Sequence, residues 1–259
     1  MLSEVLAFII AAAWVSAATV ITERMGTKVG AMFTTLPSTI VVALYFIAVE
    51  QGPELAAESA LVVPAVMGIN VVFLAIFVAM SDKGLPTALI SAMAVWAVLS
   101  TILYLADPST LYLSLVVFVL LVIGTTMWLR ATHRFQQRPG QHIDYTVGEI
   151  AFRGLFAGLM ISLSVAGASL VGATMGGILA VFPAIFTSTM VILYLRQGRE
   201  FSGAVGTLMI VGSANVVVYS VVVYFAFPEM GEVWGSLVAL AISYTWSFCL
   251  YLVVKRLVD

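Results

Sequence analysis

The chain has 259 residues, 62% hydrophobic and 9% charged, with a net charge of −2 and a mean hydropathy of +1.13. Soluble domains carry about 25% charged residues, so this composition describes an integral membrane protein with no stretch left over for a soluble domain. A single cysteine, Cys249, excludes an internal disulfide and a cysteine metal cluster, and with no basic tract there is nothing to bind nucleic acid.

Met1-Leu-Ser-Glu4 lacks a basic n-region, so the first apolar run is expected to stay as a span. Nine spans are predicted, over about residues 4–22, 29–49, 56–80, 85–105, 109–130, 148–170, 175–195, 202–227 and 233–255. Lipid offers the backbone no partners, so each must be a helix, giving an all-α integral membrane protein of nine transmembrane helices. Breaks fall at Gly26, Gly52-Pro53, Gly84, Asp107-Pro108, Pro139-Gly140, Gly172, Gly198 and Pro228.

Alternate loops hold Arg24 and Lys28; Lys83; Arg130, Arg134 and Arg138; Arg196 and Arg199; and Lys255 and Arg256, with Arg153 one turn inside the sixth span on the same side. The opposite loops carry Glu50, Glu54, Glu58, Asp107, Glu229 and Glu232. Basic residues stay inside, so the N-terminus is expected outside and the C-terminus inside, in a multi-pass protein of the cell (cytoplasmic) membrane.

The chain also repeats itself. Gly30/Gly176, Pro37/Pro183, Gln51/Gln197, Gly52/Gly198 and Glu54/Glu200 all lie 146 positions apart, the mark of an internal duplication. Spans 1–4 then match spans 6–9, with Ser16/Ser162 and Gly26/Gly172 at offset 146, Asn70/Asn215 at 145 and Gly84/Gly231 at 147. One linking span places the second copy upside down. The predicted organisation is a first repeat over 1–106, the fifth span and a cytoplasmic linker over 107–147, and an inverted repeat over 148–259.

Inverted repeats build a two-fold axis in the membrane plane, and a pair of interrupted spans in matching positions points to the site. Pro37 and Pro183 are such a pair: hinge points that remove a backbone donor and are expected to release the carbonyls of Phe33 and Leu179. Thr34 and Ser38 in one copy, and Thr187 and Ser188 in the other, either re-satisfy that backbone or bind a ligand; a packed kink is the alternative. Asn70 and Asn215 fall near the bilayer centre, where a carboxamide needs partners. Ligand contact and interhelical hydrogen bonding are both open for them. Tyr219 lies one turn beyond Asn215. Trp14, Trp96, Trp246 and Tyr244 read as packing, and Trp234 as an interfacial belt residue. Gly154 with Gly158, and Gly172 with Gly176, allow close helix approach.

No acidic or basic side chain falls at mid-span, and Glu149 and Arg153, one turn apart, are expected to pair. With neither histidine in metal-ligand spacing, no metal site, cofactor or catalytic constellation is expected, and the chain does not read as an enzyme. The expected partners are the lipid bilayer and a small-molecule or ion substrate; a homodimer is left open.

This layout resembles the drug/metabolite transporter superfamily, whose carriers are two inverted bundles of about five helices. The likeness is topological, with the first helix of that plan missing. It implies a transporter working by alternating access. Without mid-span charge, the solute would be neutral, zwitterionic, or a cation held by carbonyls. A channel, or a non-transporting scaffold or partner subunit, is the alternative.

Overall fold

A computed structural model describes residues 2–24, 37–132 and 145–258. Every regular element among them is a helix: α1 (Leu2–Arg24), α2 (Ser38–Gln51), α3 (Pro53–Met80), α4 (Leu85–Ala106), α5 (Leu111–Ala131), α6 (Val147–Val171), α7 (Ala173–Ala180), α8 (Ala184–Gly212) and α9 (Ala214–Val258), with a 3-10 turn at Ser81–Lys83. Five stretches are long and apolar enough to cross a membrane: Pro53–Lys83, Leu85–Ala106, Leu111–Ala131, Val147–Val171 and Ala173–Cys249. The chain is an all-α membrane protein.

Local chemistry sets where the helices begin and stop. Thr146 caps α6 in a capping box with Glu149, and Thr110 accepts from Leu113 N at the head of α5. Glycines make the sharpest turns. Gly52, Gly84, Gly172, Gly198 and Gly231 have φ of 96°, 97°, 114°, 83° and 75°, a region essentially reserved for glycine. Gly52 and Gly198 share one conformation (ψ 155° and 172°), as do Gly84 and Gly231 (ψ 158° and 174°). These pairs are the ones that the sequence offset matches. The prolines match as well: Pro37 (φ −74°, ψ 50°) precedes α2 and Pro183 (φ −73°, ψ 41°) precedes α8. Each proline carbonyl accepts from the amide four residues on, Val41 N at 3.1 Å and Thr187 N at 2.8 Å.

The 45-residue α9 would be about 68 Å long if straight, more than twice a bilayer core of about 30 Å. The extended backbone at Gly231 breaks it, as that at Gly198 breaks α8.

α3 is the central post, with 83% of its most apolar window buried, whereas α5 has 17% and faces outward. The outer surface is covered by large apolar side chains, Leu105, Tyr112 and Leu170 being more than three-quarters exposed, as a lipid solvent requires. α1 and α6 cross antiparallel at a glycine seam. A Cβ on Gly158 would meet the Phe8 carbonyl at 2.7 Å, and one on Gly154 the Ala12 carbonyl at 2.7 Å. Moving every number by 146 turns the contact 8–158 into 154–12, so the seam maps onto itself.

Polar ties join the helix ends. Gln51 reaches the Val165 carbonyl and Thr174 the Asp107 carboxylate at one end of the bundle; Arg199 meets Asp82, and Tyr194 the Ser81 carbonyl, at the other. Glu149 pairs with Arg196, Nε to Oε1 at 2.8 Å, and not with Arg153 as the helical spacing suggests. Its other oxygen is held by the Thr146 amide and hydroxyl, so the capping box and a neighbouring helix claim the carboxylate first.

Candidate functional site

The break between α7 and α8 builds the site. α7 stops at Ala180 because Pro183 has no N–H to continue the ladder. Phe182 N donates to the Leu179 carbonyl at 3.1 Å, and Ala184 N to the Phe182 carbonyl at 2.7 Å. The Leu179 carbonyl is therefore taken, and the carbonyl turned away from the helix belongs to Val181. Phe33, the other carbonyl expected to be released, lies outside the described residues. A full break, with three residues between the two helices, moves the vacancy from four residues before the proline to two.

Asn70 closes that vacancy. Its Nδ2 donates to the Val181 carbonyl at 2.7 Å, and its Oδ1 accepts from Trp96 Nε1 at 2.7 Å. Asn70 is 1% exposed, so one carboxamide in the middle of α3 ties α4 to the broken helix with both ends satisfied. Trp96 packs edge-on against Phe182, ring centroids 4.8 Å apart, and Phe182 against Phe156 at 5.9 Å. This aromatic layer backs the break.

Beside the bracket lies a cavity of about 50 Å³, room for a few waters or one small ion. Its polar lining is Asn70, Thr39, Ser213 and the Val181 backbone; Met67, Met209, Pro183, Phe182 and Phe186 supply much of the rest. The walls come from α2, α3, α8 and the start of α9 as well as the break. Two wall pairs, Thr39 with Ile185 and Met67 with Ser213, are 146 positions apart. Ser213 Oγ donates to the Ile210 carbonyl at 2.7 Å, so toward a ligand it can act only as an acceptor.

The predicted site residues divide. Asn70 and Pro183 line the cavity. Asn215 is 3% exposed and next to the lining residue Val216, but is not itself in the wall. Ser38 is half-buried at the head of α2, beside Thr39. Ser188 donates to its own helix at Ile185 and Thr187 is 7% exposed, so neither caps the break. Tyr219 is fully buried, facing Ser236 on α9 just beyond hydrogen-bond geometry. Pro37 is buried outside the wall, and Thr34 lies outside the described residues. Trp14, Trp246 and Tyr244 are more than two-fifths exposed and face outward. Sequence reasoning missed Trp96 as the partner of Asn70; a tryptophan needs an acceptor for its one N–H when buried, and that was the available signal.

Residues 4–108 match a family described as "Protein of unknown function (DUF3147)". No curated protein matches the chain, and no solved structure does. The matched stretch runs from the start of α1 to the turn after α4 and includes Asn70 and Trp96, the bracket that closes the break.

Proposed function

We propose that the protein is a carrier that moves a small neutral, zwitterionic or carbonyl-coordinated cationic solute across the cell membrane by alternating access. Its frame is nine transmembrane helices, four plus one plus four, with the second set inverted, the N-terminus outside and the C-terminus inside. The matched glycine and proline conformations support the duplication, and the self-mapping antiparallel seam of α1 and α6 supports the inversion. The polar ties support the count, because each joins positions that nine crossings put toward one side. The likeness to drug/metabolite transporters remains one of layout.

One observation carries the transport reading: the cavity sits at a proline break, beside a mid-helix asparagine, between walls from both halves of the chain. An unwound segment that lines a cavity is where such carriers bind solute. At about 50 Å³ it admits nothing the size of an amino acid until the walls part. Single cysteines at Met67 and Ser213, in a Cys249→Ser background, test this with membrane-impermeant thiol reagents. Alternating access predicts labelling from each side in turn, with neither side able to reach both positions when the other is trapped open. A channel predicts simultaneous labelling from both sides, and a scaffold predicts none.

A further inference from the structure

We infer that Arg153 is an oxyanion subsite of this carrier, binding a carboxylate or phosphate group of its ligand; the binding stands on its own, and only its part in transport rests on the carrier reading. Arg153 is 4% exposed, one turn inside α6. Its Nη1 donates to Thr189 Oγ1 at 2.9 Å and to Tyr145 Oη at 3.4 Å, the Tyr145 ring lies 5.1 Å from the guanidinium carbon, and Nε is enclosed with no acceptor. Arginine keeps its charge when buried. Nevertheless no carboxylate among the described residues hydrogen-bonds it: Glu149, one turn away, attracts it only through space, with one oxygen on Arg196 and the other on Thr146. A buried arginine in a membrane helix with no carboxylate on its fork among the described residues marks a substrate or ion path, and a guanidinium fork matches the two oxygens of a carboxylate or phosphate.

Its location fits. Thr189 is one turn beyond Ile185, a residue of the cavity wall, and Phe156, on the next turn of α6 from Arg153, packs on Phe182 of the same wall. The guanidinium is therefore bonded to the turn of α8 that follows the cavity wall. Among the proposed solute classes this selects a zwitterion, its oxyanion on Arg153 and its cationic end toward the Val181 carbonyl. Packing does not demand the pair. The positions matching Arg153 and Thr189 at offset 146 are Ala7 and Ala43, both fully buried, so this fold is built at the same places with methyl groups.

The full chain in phosphatidylcholine nanodiscs, titrated with sodium acetate or sodium phosphate at constant ionic strength, tests the subsite through its melting temperature. Wild type should show a saturable rise, and Arg153→Met should weaken the apparent affinity roughly thirtyfold or more. No rise in wild type, or an equal rise in Arg153→Met, overturns the inference. Should Arg153→Met fail to fold, Thr189→Val keeps the charge and should lower the affinity several-fold; an unchanged titration would overturn the subsite. Stabilisation by phosphatidylglycerol nanodiscs alone, lost in the variant, keeps the oxyanion site but overturns its assignment to a soluble ligand. Because binding is read without flux, an anion response without alternating thiol access retires the carrier and leaves the subsite, and the converse result does the reverse.

Discussion

Asn70 shows how much one buried side chain holds in the middle of a helix. Asn70→Leu would leave both the Val181 carbonyl and the Trp96 indole N–H unpartnered; at about 1–3 kcal/mol for each buried orphan, the loss is expected at about 2–6 kcal/mol. Trp96→Phe strands only Asn70 Oδ1 and should cost about 1 kcal/mol beyond its packing loss. In the Asn70→Leu background the same Trp96→Phe change removes an orphan, so a double-mutant cycle on melting in detergent should be clearly non-additive. The burial of Asn70 was legible from its place in an apolar run. Its partner was not: Val181 lies 111 positions away, and nothing local to either residue names the other. Arg153 failed in the opposite way. The four-residue spacing to Glu149 is a true neighbour rule within one helix, but Arg196 and the Thr146 cap reach that carboxylate first.

At the scale of the element, glycines separate contact from conformation. Gly177→Ala would drive a Cβ into the Ser59 carbonyl, which prises α7 off α3; backbone cannot yield, and a loss of about 1–3 kcal/mol is expected, as for an overpacked core. Gly198→Ala meets nothing within 4 Å, yet it should cost about 1–3 kcal/mol from its positive φ alone. Gly124→Ala, in open space within α5, should be neutral or stabilising by up to about 1 kcal/mol. Melting temperatures of the three variants in one detergent check this ranking. The breaks themselves were legible, because proline and glycine act through their own backbone: Gly52, Gly84, Gly172, Gly198 and Pro183 interrupt the chain as read. The depth of the Pro183 break was not. A kink and a full interruption share one sequence signature, and packing against Asn70, Trp96 and Phe182 decides between them. Gly172 and Gly176, read together as a close-approach motif, have separate tasks, a turn and a contact with Ala168.

For the whole molecule, orientation is the first test. Alkaline phosphatase fused after Asp259 should be inactive and a green fluorescent protein there bright, whereas phosphatase inserted after Glu54 should be active; the reverse pattern would invert the proposed topology. The offset was readable because the glycines and prolines of each pair answer to the same backbone demand. The unlike positions, Arg153 against Ala7 and Thr189 against Ala43, are where the proposed copies differ in chemistry. A consequence follows from the bracket at Val181. The gap in the C-terminal half is stitched shut by an amide from the N-terminal half, so widening that gap requires unhooking one half from the other. Loosening the seam and unsealing the chamber are then a single motion, and a solute that replaces the Asn70 amide on that carbonyl would release the stitch by its own arrival.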